Sequence, residues 1–247
     1  MIIYPTIELQ DGKCAIFRRG RTEDPKVFDI EPRDAALRFA NAGAEWLHVT
    51  DLDGVMEGGR HNADIITDII NNVDIPVQVA GGIRSIDAVH WWMEHGAARI
   101  VLGTAAVKDR HLVQQACALY PDNVVIAIYS RDNRVVIEGL TEETAFNPLD
   151  LAKELEKSGP AAIMFTDMDM NDALPEASFA LTAEIALELD IPVISSGCVN
   201  SLDDVSVLKQ LPKVAGTVIG RALFHDKVSL EEAIAIGNMP FTRANFT

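Results

Sequence analysis

Apolar residues recur along this chain in two alternating rhythms. Short β-branched runs, four to eight residues long, are bounded by glycine, aspartate and asparagine; each is of strand length. Between them lie stretches in which apolar positions return every three or four residues, the signature of a helix with one buried face. The pattern predicts strands over Ile2–Leu9, Trp46–Thr50, Ile75–Ala80, Arg99–Leu102, Asn123–Ile128, Ala161–Phe165, Pro192–Ser196 and Gly216–Ile219. It predicts helices over Asp34–Ala42, Ala63–Asn72, Ile86–His95, Leu112–Leu119, Leu149–Lys157, Phe179–Leu189, Leu202–Leu211 and Leu230–Ile236. Cys14–Phe17 and Arg134–Glu138 read as short extra strands. Arg18–Pro32 reads as a long polar loop, Met56–His61 as a glycine-rich one and Phe241–Thr247 as a loose tail.

One stretch occurs twice. Ile75–Asp109 and Ile191–Asp226 share Ile-Pro-Val, then a glycine (Gly81, Gly197), then Ser-x-Asp (Ser85 with Asp87, Ser201 with Asp203), then Gly-x-Ala (Gly103, Gly220). Thr166-Asp167-Met168-Asp169 likewise echoes Thr50-Asp51-Leu52-Asp53 at the same offset of about 116 residues. Each copy is a strand–helix–strand unit with a Ser-x-Asp helix start. Eight strand–helix pairs in 247 residues point to an α/β fold, a closed (β/α)₈ TIM barrel, over an open sheet. The doubling predicts one barrel domain over 1–247 made of two half-barrels, about 1–120 and 121–240.

In such a barrel the ligand site is built from the loops after the strands. Strands three and four end in Gly81-Gly82 and Gly103-Thr104, strands seven and eight in Gly197-Cys198 and Gly220-Arg221. Glycine lets backbone N–H groups approach an anion, and a helix start adds to the attraction. Two such cradles facing each other suit a ligand with a phosphate at each end; the alternative is that these glycines only make tight turns. Strands one, two, five and six end in Glu8, in Asp51 or Asp53, in Tyr129, and in Asp167 or Asp169. Two acidic groups on either side of a sugar can remove a proton and return one. Asp51 serves equally well as a cap for its loop. Arg18, Arg19 and Arg21 stand in a loop that either contacts the ligand or is simply solvated.

Composition narrows the partners. A net charge of −16 argues against nucleic acid. The six histidines are scattered and the three cysteines form no C-x-x-C, so no metal site is expected and the thiols fit a reducing compartment. The N-terminus lacks a basic region and a cleavage site, and no apolar run approaches a membrane span, so a soluble cytoplasmic protein is expected.

The chain resembles the (β/α)₈ isomerases of histidine biosynthesis, the phosphoribosylformimino-5-aminoimidazole carboxamide ribotide isomerases, from Ile2 to about Gly237. The residues that carry the likeness are Asp11-Gly12-Lys13, Gly43 to His48 with Asp51-Leu52-Asp53, Pro76 to Arg84, Gly103 to Val107, Thr166-Asp167, Ser195-Ser196-Gly197 and Ile219 to Leu223. The resemblance implies an Amadori rearrangement, aminoaldose to aminoketose, on a ribose derivative with two phosphates, without cofactor; a monomer is expected. It implies catalytic roles for Glu8, Tyr129 and Asp167, and ligand contacts at Arg19, Gly81, Gly82, Gly103, Thr104, Gly197, Cys198, Gly220 and Arg221. Three departures stand at the centre: Glu8 and Tyr129 replace family aspartates, and Leu140 replaces the aromatic after strand five. Met170-Asn171-Asp172-Ala173 also replaces the usual Arg-Asp-Gly-Thr. The alternative is a divergent relative that binds a phosphorylated ligand and performs other chemistry or none.

Overall fold

Eight parallel strands close on themselves in a computed structural model that describes residues 1–18, 21–169 and 176–240. They are β1 (Ile2–Gln10), β2 (Leu47–Asp51), β3 (Val77–Ala80), β4 (Arg99–Leu102), β5 (Val124–Arg131), β6 (Ala162–Asp167), β7 (Val193–Ser196) and β8 (Val214–Ile219). Each pairs in parallel with the next, and β8 pairs with β1 to close the ring. The expected (β/α)₈ barrel is therefore the observed fold.

The side-chain period of two along each strand sorts the apolar residues into two cores. Tyr4, Ala80, Val101, Val125, Ala127, Ala162, Met164, Ile194 and Val218 fill the barrel interior. Their neighbours on the opposite face, among them Ile7, Leu47, Val49, Ile100, Ile126 and Phe165, pack against the helices. Trimming one of these fully buried side chains to alanine costs about 2–5 kcal/mol.

The two Ser-x-Asp starts are helix caps. Ser85 Oγ accepts from the Ala88 N–H, and Ser201 closes a box in which Asp204 accepts from the Ser201 N–H in return.

Three expectations change. Arg18–Pro32 is not one loop: strands Lys13–Arg18 and Arg21–Val27 pair antiparallel beyond β1. Its charge and Pro25 masked an edge hairpin. The stretch after β2 is not all loop either, because Leu52–Glu57 is helical, started by the Asp51 carboxylate on the Gly54 N–H. Short helices also open directly after β4 (Thr104–Lys108) and β8 (Arg221–Phe224). The expected arm after β5 is present as Arg134–Ile137. Met170–Ala173 and Phe241–Thr247 lie outside the described residues.

Candidate active site

The strand ends surround one cavity of about 290 Å³ at the C-terminal mouth of the barrel. Glu8, Tyr129 and Asp167 all line it, as do Gly81, Gly82, Gly103, Thr104, Gly197, Gly220 and Arg221. The ends of β3 and β4 lie across the ring from those of β7 and β8, four strands away in either direction. The glycine pairs therefore stand on opposite walls, with the polar side chains of β1, β5 and β6 between them.

Cys198 is placed differently from its neighbours. Its side chain is buried behind the cavity wall, with Sγ 2.7 Å from Ser195 Oγ, and burial pushes its thiol up to about 12. Arg19 lies outside the described residues.

The acidic alternatives separate cleanly. Asp51 is fully buried and faces away from the cavity; it accepts from the Gly54 N–H at 3.0 Å, the Asn62 N–H at 3.1 Å and Asn62 Nδ2 at 2.7 Å. Asp53 accepts from the Asp11 N–H and Asn62 Nδ2, each at 2.8 Å. Both carboxylates hold loops together. Asp169 holds the loop after β6 by accepting from the Asp132 N–H. The Asp169 N–H in turn donates to Asp167 Oδ1 at 3.0 Å.

Asp167 thus keeps a place on the cavity wall, where burial raises its pKa above the ordinary carboxyl range; the Asp169 N–H and the Ser178 hydroxyl oppose that shift. A carboxyl raised in this way holds a proton to give at higher pH than a solvated one. Tyr129 is pushed up to about 12, first by burial and then by the negative charge of Glu8. It is a neutral phenol at neutral pH and can only donate or accept a hydrogen bond there.

The glycine turns are demanding. Gly81 and Gly82 have φ of +101° and +69°, and a Cβ on them would come within 2.2 Å of the Asp51 carbonyl oxygen and 2.1 Å of the Gly59 carbonyl oxygen. Backbone packing alone requires these two glycines. They also present their backbone to the cavity, so the need for a tight turn leaves a ligand contact open to them. Thr104 Oγ1 already accepts from the Glu138 N–H at 2.9 Å. Glu138 bridges Arg84 at 3.0 Å and Lys108 at 2.7 Å, with Lys108 the stronger influence holding its carboxyl below the usual range. Glu138, Gly139 and Leu140 carry successive φ values of 51°, 62° and 72°, a fold that sends Leu140 to the cavity wall.

His48, Thr50, Arg84 and Met168 line the cavity too and were not singled out from the sequence. The available signal was the strand period: 48 and 50 share a face, as 6 and 8 do on the neighbouring strand. Among the described residues no group of three or more His, Cys, Asp or Glu side chains is arranged to hold a metal ion. None of the described helices is long and apolar enough to cross a membrane.

Comparison with known proteins agrees with this architecture. Residues 2–229 match the family described as Histidine biosynthesis protein. A protein of Paramagnetospirillum magneticum is 39% identical over 236 residues, covering 96% of this chain and 99% of its own. One of Rhodospirillum rubrum is 40% identical over 238 residues, covering 96% and 99%. Both are named 1-(5-phosphoribosyl)-5-((5-phosphoribosylamino)methylideneamino) imidazole-4-carboxamide isomerase. A relative from Ruegeria pomeroyi, 40% identical over 96% of this chain, is named as the second isomerase of that description.

A parallel barrel with paired glycine turns around an acidic centre defines a class of site suited to phosphorylated sugars. Within that class, the chain belongs to the histidine biosynthesis protein family.

Proposed function

We propose that this protein is an aldose–ketose isomerase that carries out an Amadori rearrangement on a bis-phosphorylated aminoaldose, phosphoribosylformimino-5-aminoimidazole carboxamide ribotide, giving the corresponding aminoketose. The observation that carries the reading is the meeting of Glu8, Tyr129 and Asp167 in one cavity walled by Gly81-Gly82 and Gly103-Thr104 on one side and Gly197 and Gly220-Arg221 on the other. The names of the relatives supply the substrate.

In this reading one phosphate lies at each glycine pair, held by backbone N–H groups and, at β8, by Arg221. The half-barrels 1–120 and 121–240 then contribute one anchor each. Asp167, whose pKa burial raises, gives its proton to the ribose ring oxygen, and the C1′–O bond opens to an iminium. Glu8 takes the proton from C2′, and the electron pair flows into the C1′–N system as an enolamine. Transfer of the hydroxyl proton from C2′–OH and reprotonation at C1′ complete the aminoketose. Atoms balance within the substrate, and no external oxidant or reductant enters. The neutral Tyr129 phenol steers by hydrogen bonding, since it cannot supply a carboxylate.

A second reading, ligand binding without this chemistry, draws on Tyr129 itself. Its ring reaches to 3.9 Å from where a Cβ on Gly103 would lie, which narrows the space beside one anion cradle. Introducing the gene into a histidine auxotroph that lacks the isomerase separates the two. Growth without histidine supports the isomerase; tight binding of a bisphosphate with no growth supports the second reading.

A further inference from the structure

The floor of the cavity holds a polar chain inside an otherwise apolar barrel. His48 is 4% exposed and Gln78 fully buried, yet neither is explained by capping or by an ion pair. Gln78 Nε2 lies 2.8 Å from His48 Nδ1, and His48 Nε2 lies 3.0 Å from Thr50 Oγ1. Thr50 is the register partner of Glu8 on the adjacent strand, and both side chains open onto the cavity. Buried polar groups that could have been apolar at no cost to the fold invite a functional explanation.

We propose that His48 and Thr50 are positioning residues for Glu8. The Gln78 amide donates to His48 Nδ1, which places the ring proton on Nε2. Nε2–H donates to Thr50 Oγ1, and the Thr50 hydroxyl is thereby turned to donate its own proton to the Glu8 carboxylate. Burial pushes His48 down to about 4, so the ring stays neutral and keeps this direction at neutral pH. The other titratable or charged groups around the cavity that Glu8 shares are Tyr129, Asp167, Arg84 and Arg221. The relay serves a base that is one methylene longer than aspartate, where direction matters most: a misplacement on the order of an ångström costs roughly a hundredfold.

This inference rests on the isomerase reading for its activity test, and the test keeps the two apart. Thr50→Val removes the hydroxyl and keeps the shape; Thr50→Ser keeps the hydroxyl. The relay predicts that Thr50→Val lowers kcat about tenfold, leaves KM within about twofold and moves the acidic limb of the kcat profile up by about one pH unit, the effect of losing a hydrogen bond to a charged acceptor. Thr50→Ser keeps the parental profile. His48→Leu behaves like Thr50→Val, and His48→Gln, which can still donate, retains most of the activity. If the valine and serine variants behave alike, or the acidic limb stays in place, the relay is wrong. A reversed Gln78 amide would make His48 an acceptor and give that same null result. Should the parent fail to turn over the aminoaldose, the isomerase reading falls on its own. The relay is then read from NMR titration of the Glu8 carboxyl in isotope-labelled protein: an upward move in Thr50→Val supports it, and no move overturns it.

Discussion

Replacing Asp51 separates a structural carboxylate from a chemical one. Three donors converge on it at 3.0, 3.1 and 2.7 Å, and it is wholly buried. Alanine leaves the Gly54 and Asn62 N–H groups with no acceptor, each a loss of about 1–3 kcal/mol when buried. Asn62 Nδ2 is partly spared, since it also reaches Asp53 Oδ2 at 2.8 Å. Asp51→Ala should therefore cost about 3–4 kcal/mol, a large share of the 5–15 kcal/mol typical of a folded protein. Asp51→Asn keeps one acceptor oxygen and should cost about half as much. Urea unfolding followed by circular dichroism reads this directly: the midpoint falls while the slope is unchanged. Turnover measured at a temperature where the variants remain folded should stay within about threefold of the parent. Parental stability with lost turnover would place Asp51 in the chemistry and refute its assignment as a cap.

His48, held down at about 4 against an ordinary value near 6.5, makes stability fall as pH drops from about 6.5 to 4, because the unfolded chain takes up the proton first. The loss is about 1.4 kcal/mol per pH unit across that window, about 3 kcal/mol in all, and His48→Gln should flatten this arm in urea titrations run at several pH values. Asp167 works in the opposite sense: its raised pKa means the folded state binds the proton more tightly, so its contribution to stability declines as pH rises through the folded pKa. Asp167→Asn should raise the thermal midpoint at neutral pH while abolishing turnover; a lowered midpoint would contradict the burial penalty. Gly82→Ala must fit a Cβ within 2.1 Å of a backbone oxygen at φ +69°. A loss of roughly 3 kcal/mol or more is expected, and an unfolding midpoint equal to the parent's would show that the turn can relax.

Much of this architecture is readable from the chain because the barrel's two periods are strong and repeated. Inward and outward positions alternate faithfully along β1, β5 and β6, and the glycines at strand ends mark where the mouth must be. What escaped reading depended on contacts distant in sequence. The strand Arg21–Val27 is masked by Glu23, Asp24, Pro25 and Lys26, residues a central strand would not tolerate but an edge can. Asp51 and Asp167 occupy equivalent places in the repeat, yet only the first meets the donors of Gly54 and Asn62, three and eleven residues on, that make it a cap. His48 and Thr50 read as ordinary strand residues until their register against Thr6 and Glu8 sets them on the cavity side.

In the proposed reaction Glu8 does at the end of β1 what the resemblance to the isomerases implies for an aspartate. The direct measurement is the absorbance change on adding the purified chain to the aminoaldose ribotide, run beside Glu8→Gln. Conversion by the parent, with kcat in Glu8→Gln lowered by at least about a hundredfold and KM nearly unchanged, is the predicted result. Equal conversion by both proteins, or none by the parent at substrate concentrations that saturate binding, would contradict it.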